Sequence, residues 1–135
     1  MDCFVYGTLT DPARVDELLD DWTFGPGAVL RGAHRVEGEY PTLAPGGETP
    51  GRILRTDEVD ALDRYEGVDR GLYVRVAVPW ADGSGNRTTG DVQVYVGDPA
   101  RLGVEDSIEW PGSGSLQARV ADTMARECTV VARPE

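Results

Sequence analysis

Residues 72–80 read Leu-Tyr-Val-Arg-Val-Ala-Val-Pro-Trp, and residues 91–96 read Asp-Val-Gln-Val-Tyr-Val. In the first run Leu72, Val74, Val76 and Val78 alternate with Tyr73, Arg75 and Ala77. In the second, Val92, Val94 and Val96 alternate with Gln93 and Tyr95. A period of two belongs to a strand with one apolar face. The stretch Asp82-Gly83-Ser84-Gly85-Asn86 between the runs has the residues of a turn, so the pair predicts an antiparallel hairpin.

Further strands are expected on either side. Residues 3–6 form a short apolar run ended by Gly7, and residues 28–36 alternate loosely. Residues 40–43 read as a short extended piece, broken by Pro41 and by Pro45-Gly46-Gly47, and residues 51–54 as a separate strand. Residues 129–132 offer a final strand. Three helices are expected. One runs over 12–20, with Asp11 as cap and Val15, Leu18 and Leu19 as its stripe. A second runs over 57–65, capped by Thr56 and stopped by Gly67. A third runs over 116–126 on Leu116, Val120 and Met124. The hairpin and short strands favour a mostly antiparallel or mixed sheet, able to curl into a barrel, over a doubly wound parallel one. The fold class is α+β, in a single domain over residues 1–135.

Three features offer chemistry. Glu66 lies seven residues after Val59 and four after Leu62, which puts its carboxylate on an apolar helix stripe. Desolvation first, and the negative end of the helix dipole second, would raise its pKa toward a value useful for proton transfer. The same spacing suits a helix end that turns to water or pairs with Arg64 or Arg70. The turn Tyr6-Gly7-Thr8-Leu9 leaves a strand and heads for a helix, so its N–H groups lack strand partners and can cradle an anion. An ordinary strand-to-helix turn would read the same way. Tyr6, Tyr73 and Tyr95, with Arg75 on the face of Tyr73, would line a polar cavity wall if their strands are neighbours. A hydrated outer sheet face would give the same pattern. His34 is the only histidine, and no G-x-S-x-G, P-loop or calcium-loop pattern occurs.

Val5-Tyr6-Gly7-Thr8-Leu9, then Tyr40-Pro41, then Leu62-Asp63-Arg64-Tyr65-Glu66-Gly67 and Tyr73-Val74-Arg75 form an ordered set. It resembles the gamma-glutamylcyclotransferase-like superfamily, and within it the short gamma-glutamylamine cyclotransferase branch. The resemblance runs from the first strand to about Tyr95. It implies a mixed, mostly antiparallel β-barrel with flanking helices and a cavity at one end. It further implies that Glu66 is the general acid–base. Tyr6, Gly7, Thr8 and Leu9 would hold the substrate, with Tyr40, Tyr73, Arg75 and Tyr95 in supporting roles. The implied reaction is internal aminolysis of a gamma-glutamyl amide, giving 5-oxoproline and a free amine. The nucleophile is then the substrate's own amine, and neither cofactor nor metal is called for. A non-catalytic small-ligand-binding module of the same fold is the alternative.

The chain carries 24 acids against 13 bases, for a net charge of -11, and every base is Arg. Such a surface repels phosphate backbones and disfavours nucleic acid as a partner. No apolar run reaches the roughly 20 residues of a membrane helix. A small-molecule partner and a cytoplasmic location are the expectations, with oligomeric state open. Cys3 and Cys128 stand alone, without a C-x-x-C spacing, and read as reduced packing residues. Abundant acids without Lys resemble salt-adapted proteins, in which salt screens self-repulsion. Folding stability, followed by denaturant titration, should therefore rise between low and molar salt. A flat response would remove the salt-adapted reading.

Overall fold

The computed structural model describes residues 1–81 and 87–132. The two alternating runs pair antiparallel as β4 (Tyr73–Ala81) and β5 (Arg87–Gly97), in register from Tyr73 opposite Gly97 to Val78 opposite Val92. The turn expected at residues 82–86 lies outside the described residues. A register shift follows Pro79, which has no N–H to give to the ladder.

The other strands are β1 (Asp2–Val5), β2 (Thr23–Val36), β3 (Thr42–Arg55) and β6 (Thr129–Ala132). The six close into a barrel in the order β1-β3-β2-β6-β4-β5. Four of its seams are antiparallel. The seams β1–β5 and β4–β6 are parallel. The helices are α1 (Pro12–Leu18), α2 (Val59–Glu66) and α3 (Leu116–Glu127). The architecture is thus the mixed, mostly antiparallel α+β barrel with flanking helices. No helix among the described residues is long and apolar enough to cross a membrane.

Three local readings are corrected. Residues 40–43 and 51–54 are not separate pieces: residues 42–55 form one strand against β2. β2 itself begins at Thr23 rather than Ala28. Pro45-Gly46-Gly47 does not break the pairing, because a bulge takes up the irregularity. Ala33 pairs Pro45 and Arg31 pairs Glu48, so β3 spends one residue more than β2 there. The cap of α2 also differs. Its N-cap is Glu58, without a side-chain cap bond. Thr56 Oγ1 accepts from the Glu58 N–H at 3.1 Å and donates to the Asp21 carbonyl at 2.8 Å. The Glu58 carboxylate accepts from the N–H groups of Asp20 and Asp21 at 2.9 and 2.7 Å, joining the exit of α1 to the start of α2.

Both faces of β1 are buried. Phe4 joins the barrel core of Leu30, Leu43, Ile53, Val78 and Val94, against which α3 packs Val120 and Met124. Cys3 and Val5 point the other way, into a second cluster formed by Val15 of α1, Leu62 of α2 and Leu54. Two buried faces explain why residues 3–6 read as unbroken apolar sequence. Cys3 and Cys128 are both buried and unbonded, as packing residues.

Gly32 sits opposite the β3 bulge with φ +100°, and a Cβ there would lie 2.4 Å from the Glu127 carbonyl at the end of α3. Gly46 has φ +95°, but a Cβ there would meet nothing within 4 Å. Gly46→Ala should therefore cost about 1 kcal/mol for its backbone alone. Gly32→Ala should cost roughly 2–4 kcal/mol, since backbone and overlap add. Chemical denaturation of both variants checks the difference.

Candidate functional site

The first wall of the site follows from the end of β1. After Tyr6, whose carbonyl accepts from Arg35 Nη1 at 2.7 Å, Gly7 leads into a 3-10 turn over Thr8–Thr10. The turn closes through Thr10 N–H to the Gly7 carbonyl at 3.1 Å and Asp11 N–H to the Thr8 carbonyl at 3.2 Å. Asp11 then caps α1 by accepting from the Ala13 N–H at 3.0 Å. A turn of this kind leaves its first N–H groups unused. The N–H groups of Thr8 and Leu9 accordingly find no acceptor among the described residues.

The second wall is the end of α2. Leu62 is fully buried, and Glu66, one turn on, is the helix's last residue. Gly67 ends the helix in the left-handed conformation at φ 71°, and its N–H bonds the Arg64 carbonyl at 3.2 Å. The carboxyl of Glu66 has no hydrogen-bond or ion-pair partner among the described residues. Neither Arg64 nor Arg70 pairs with it. Burial pushes its pKa up from the ordinary 4.5 to about 7.

Both walls face one cavity of about 240 Å³. Gly7, Thr8 and Leu9 line it with Glu66. Buried Tyr6, Tyr73 and Tyr95 form its floor, while the exposed Thr8, Tyr40 and Arg70 mark its rim. The volume is below the range of drug-sized pockets and suits a small metabolite.

The phenols are structural walls rather than free acids. Tyr6 OH donates to the Tyr95 carbonyl at 2.6 Å, Tyr73 OH to the Pro41 carbonyl at 2.5 Å, and Tyr95 OH to Asp63 Oδ1 at 2.6 Å. Burial, first among the causes, pushes all three phenols up, so they stay neutral. The tyrosines do not share one sheet face. Tyr6 packs into the barrel core with Phe4, whereas Tyr73 and Tyr95 belong to the cluster beneath α2.

Arg75 does not line the cavity. It pairs opposite Tyr95 on the sheet, and its guanidinium is engaged by Asp63 at 3.0 and 3.4 Å and by Gln93 at 2.9 Å. Asp63 is thus the residue that sequence reasoning missed. It binds Arg75 and Tyr95 together and fixes α2 to β4 and β5. Its place three residues before Glu66, on the same side of the helix, was the available signal. Tyr65 was missed as well: its hydroxyl meets Thr8 Oγ1 at 2.8 Å and bridges the two walls.

Residues 3–112 match the family described as gamma-glutamyl cyclotransferase, AIG2-like. AIG2-like protein C of Arabidopsis thaliana is 37% identical over 123 residues, covering 81% of this chain and 68% of that protein. A solution structure of another Arabidopsis thaliana protein is 30% identical, with a TM-score of 0.54 over 73% of this chain and 72% of its own. A structure titled gamma-glutamyl cyclotransferase superposes with a TM-score of 0.61, at 17% identity over 87% of this chain and 94% of its own, a likeness of fold.

The raised pKa of Glu66 has a consequence for stability. The native state holds this proton to about pH 7, whereas the unfolded chain releases it near 4.5. The native state therefore binds more protons between those values, and stability falls as pH rises through that window. The loss is roughly 3 kcal/mol and is complete above pH 7. Glu66→Gln should lack this component. Unfolding free energies of both proteins at pH 5 and pH 8 should show the parent losing more than the variant by about that amount.

Proposed function

The chain belongs to the gamma-glutamyl cyclotransferase, AIG2-like family, and from that premise we propose that it cyclises a gamma-glutamyl amide to 5-oxoproline and a free amine. The observation that carries the reading is the shared cavity of Glu66 and the Thr8–Leu9 amides. A carboxyl group whose pKa is raised to about 7 shares that cavity with two N–H groups that find no acceptor among the described residues.

The chemistry follows from those two groups. The substrate's α-amino nitrogen attacks its own γ-carbonyl carbon, and a ring C–N bond forms. The amine proton passes to the Glu66 carboxylate. The former amide C–N bond then breaks, and the leaving nitrogen takes the proton back from Glu66. The turn amides anchor the substrate's α-carboxylate or the developing oxyanion. Ring closure is unimolecular, so the cavity's chief task is to hold the substrate folded and to move one proton. The floor of neutral phenols supplies shape, and their protons are already committed to protein acceptors.

Glu66 must be ionised to accept the proton. The kcat/KM for 5-oxoproline release should therefore rise with pH through about 7, where Glu66 titrates in the free protein. Glu66→Gln should lower kcat by about 10²–10⁴-fold. A variant that released 5-oxoproline at the parent rate would overturn the mechanism. Binding of gamma-glutamyl compounds to the parent protein without any release would instead identify a ligand-binding module.

A further inference from the structure

Among the described residues only two charged ones line the cavity, Glu66 within it and Arg70 at its rim. Arg70 is exposed, and its guanidinium has no hydrogen-bond or ion-pair partner among the described residues. In a chain with 24 acids against 13 bases, an unpaired guanidinium at the mouth of the site is a local exception to the surrounding charge.

Its position is set by the backbone. Had α2 continued, Arg70 would stand four residues after Glu66 on the same helix face, where an Arg pairs with a Glu. Gly67 ends the helix instead, and Arg70 N–H closes a tight turn on the Gly67 carbonyl at 3.0 Å. The guanidinium lies against that glycine. A Cβ at Gly67 would sit 2.9 Å from Arg70 Nη2 and 3.4 Å from Nε. The cation is thereby held at the rim and kept off the Glu66 carboxyl.

On the reading of the cavity as a gamma-glutamyl site, the turn amides and Glu66 serve the glutamyl end, which leaves the rim to the departing amine. We propose that Arg70 reads a carboxylate on that amine, so that the protein favours gamma-glutamyl conjugates of amino acids over those of uncharged or cationic amines. The other exposed rim groups, Thr8 and Tyr40, and the half-buried Pro41 and Leu72 beside them carry no anion to receive an ammonium. A planar guanidinium takes a carboxylate through two parallel N–H donors.

Gamma-glutamylalanine and gamma-glutamylalaninamide share their shape and differ in that carboxylate. The parent protein should turn over the alanine conjugate with a kcat/KM about tenfold above the alaninamide, the scale of one charge-assisted contact at a partly open rim. In Arg70→Met the ratio should fall to about one, through KM for the alanine conjugate, with the alaninamide changed less than about twofold. Arg70→Lys should restore part of the preference. A parent ratio near one, an Arg70→Met ratio equal to the parent's, or an equal loss on both substrates would overturn the role of Arg70. Equal loss would place the guanidinium on the glutamyl carboxylate instead. If the parent released no 5-oxoproline from either compound, the cyclotransferase reading itself would fail, and this proposal with it.

Discussion

The parallel seam between β1 and β5 is the contact on which the site depends. Cys3 pairs with Gln93 and Phe4 with Val94, and this seam closes the barrel. Without it, β1 and β5 would present open edges, with unpaired donors and acceptors along both. With it, the chain leaving β1 passes over the end of β5, and Tyr6 can donate to the Tyr95 carbonyl. The turn that follows is then fixed beside the helix α2 lying on β4 and β5. The seam that closes the barrel is thus also the one that sets the first wall of the cavity beside the second.

Asp63 holds the other half. Its carboxylate receives Arg75 and Tyr95, and it is only partly exposed, with 23% of its side chain accessible. Removing Asp63 would leave the Tyr95 hydroxyl without its acceptor and Arg75 with Gln93 alone, in a half-buried place. Asp63 and Glu66 are carboxylates one helical turn apart with opposite surroundings. The first is satisfied by a guanidinium and a phenol. The second faces the cavity with no donor among the described residues. One short helix therefore carries a group that fixes it to the sheet and a group left without a partner among the described residues.

Much of this was legible in the sequence, and the exceptions have physical reasons. The hairpin was legible because its period of two survives over two runs. The spacing of Glu66 from Leu62 suited a buried carboxyl and a helix end turned to water equally, and it was the ordered motif around it, more than the spacing, that pointed to the cavity. The unpaired N–H groups of Thr8 and Leu9 were legible because a strand-to-helix turn leaves such groups without partners wherever it occurs. The length of β3 was not, since Pro45-Gly46-Gly47 carries every local mark of a break. Pairing with β2 on both sides of the bulge overrides that signal. The engagement of Arg75 was hidden for a different reason. Its acceptor, Asp63, precedes it by 12 residues on another element, and only the docking of α2 brings them together.

Gly67 shows how one backbone choice separates two charges that local sequence would join. Glu66 and Arg70 stand at the spacing of a helical ion pair. In a continuous helix the guanidinium would stabilise the carboxylate and draw its pKa down, leaving a weaker base. The left-handed turn at Gly67 prevents that geometry. It leaves burial as the cause acting on the Glu66 carboxyl, which titrates at about 7. The same turn delivers the displaced cation to the rim of the cavity. A carboxyl that keeps its proton until neutrality and a guanidinium without a partner among the described residues are thus two results of one helix ending where it does.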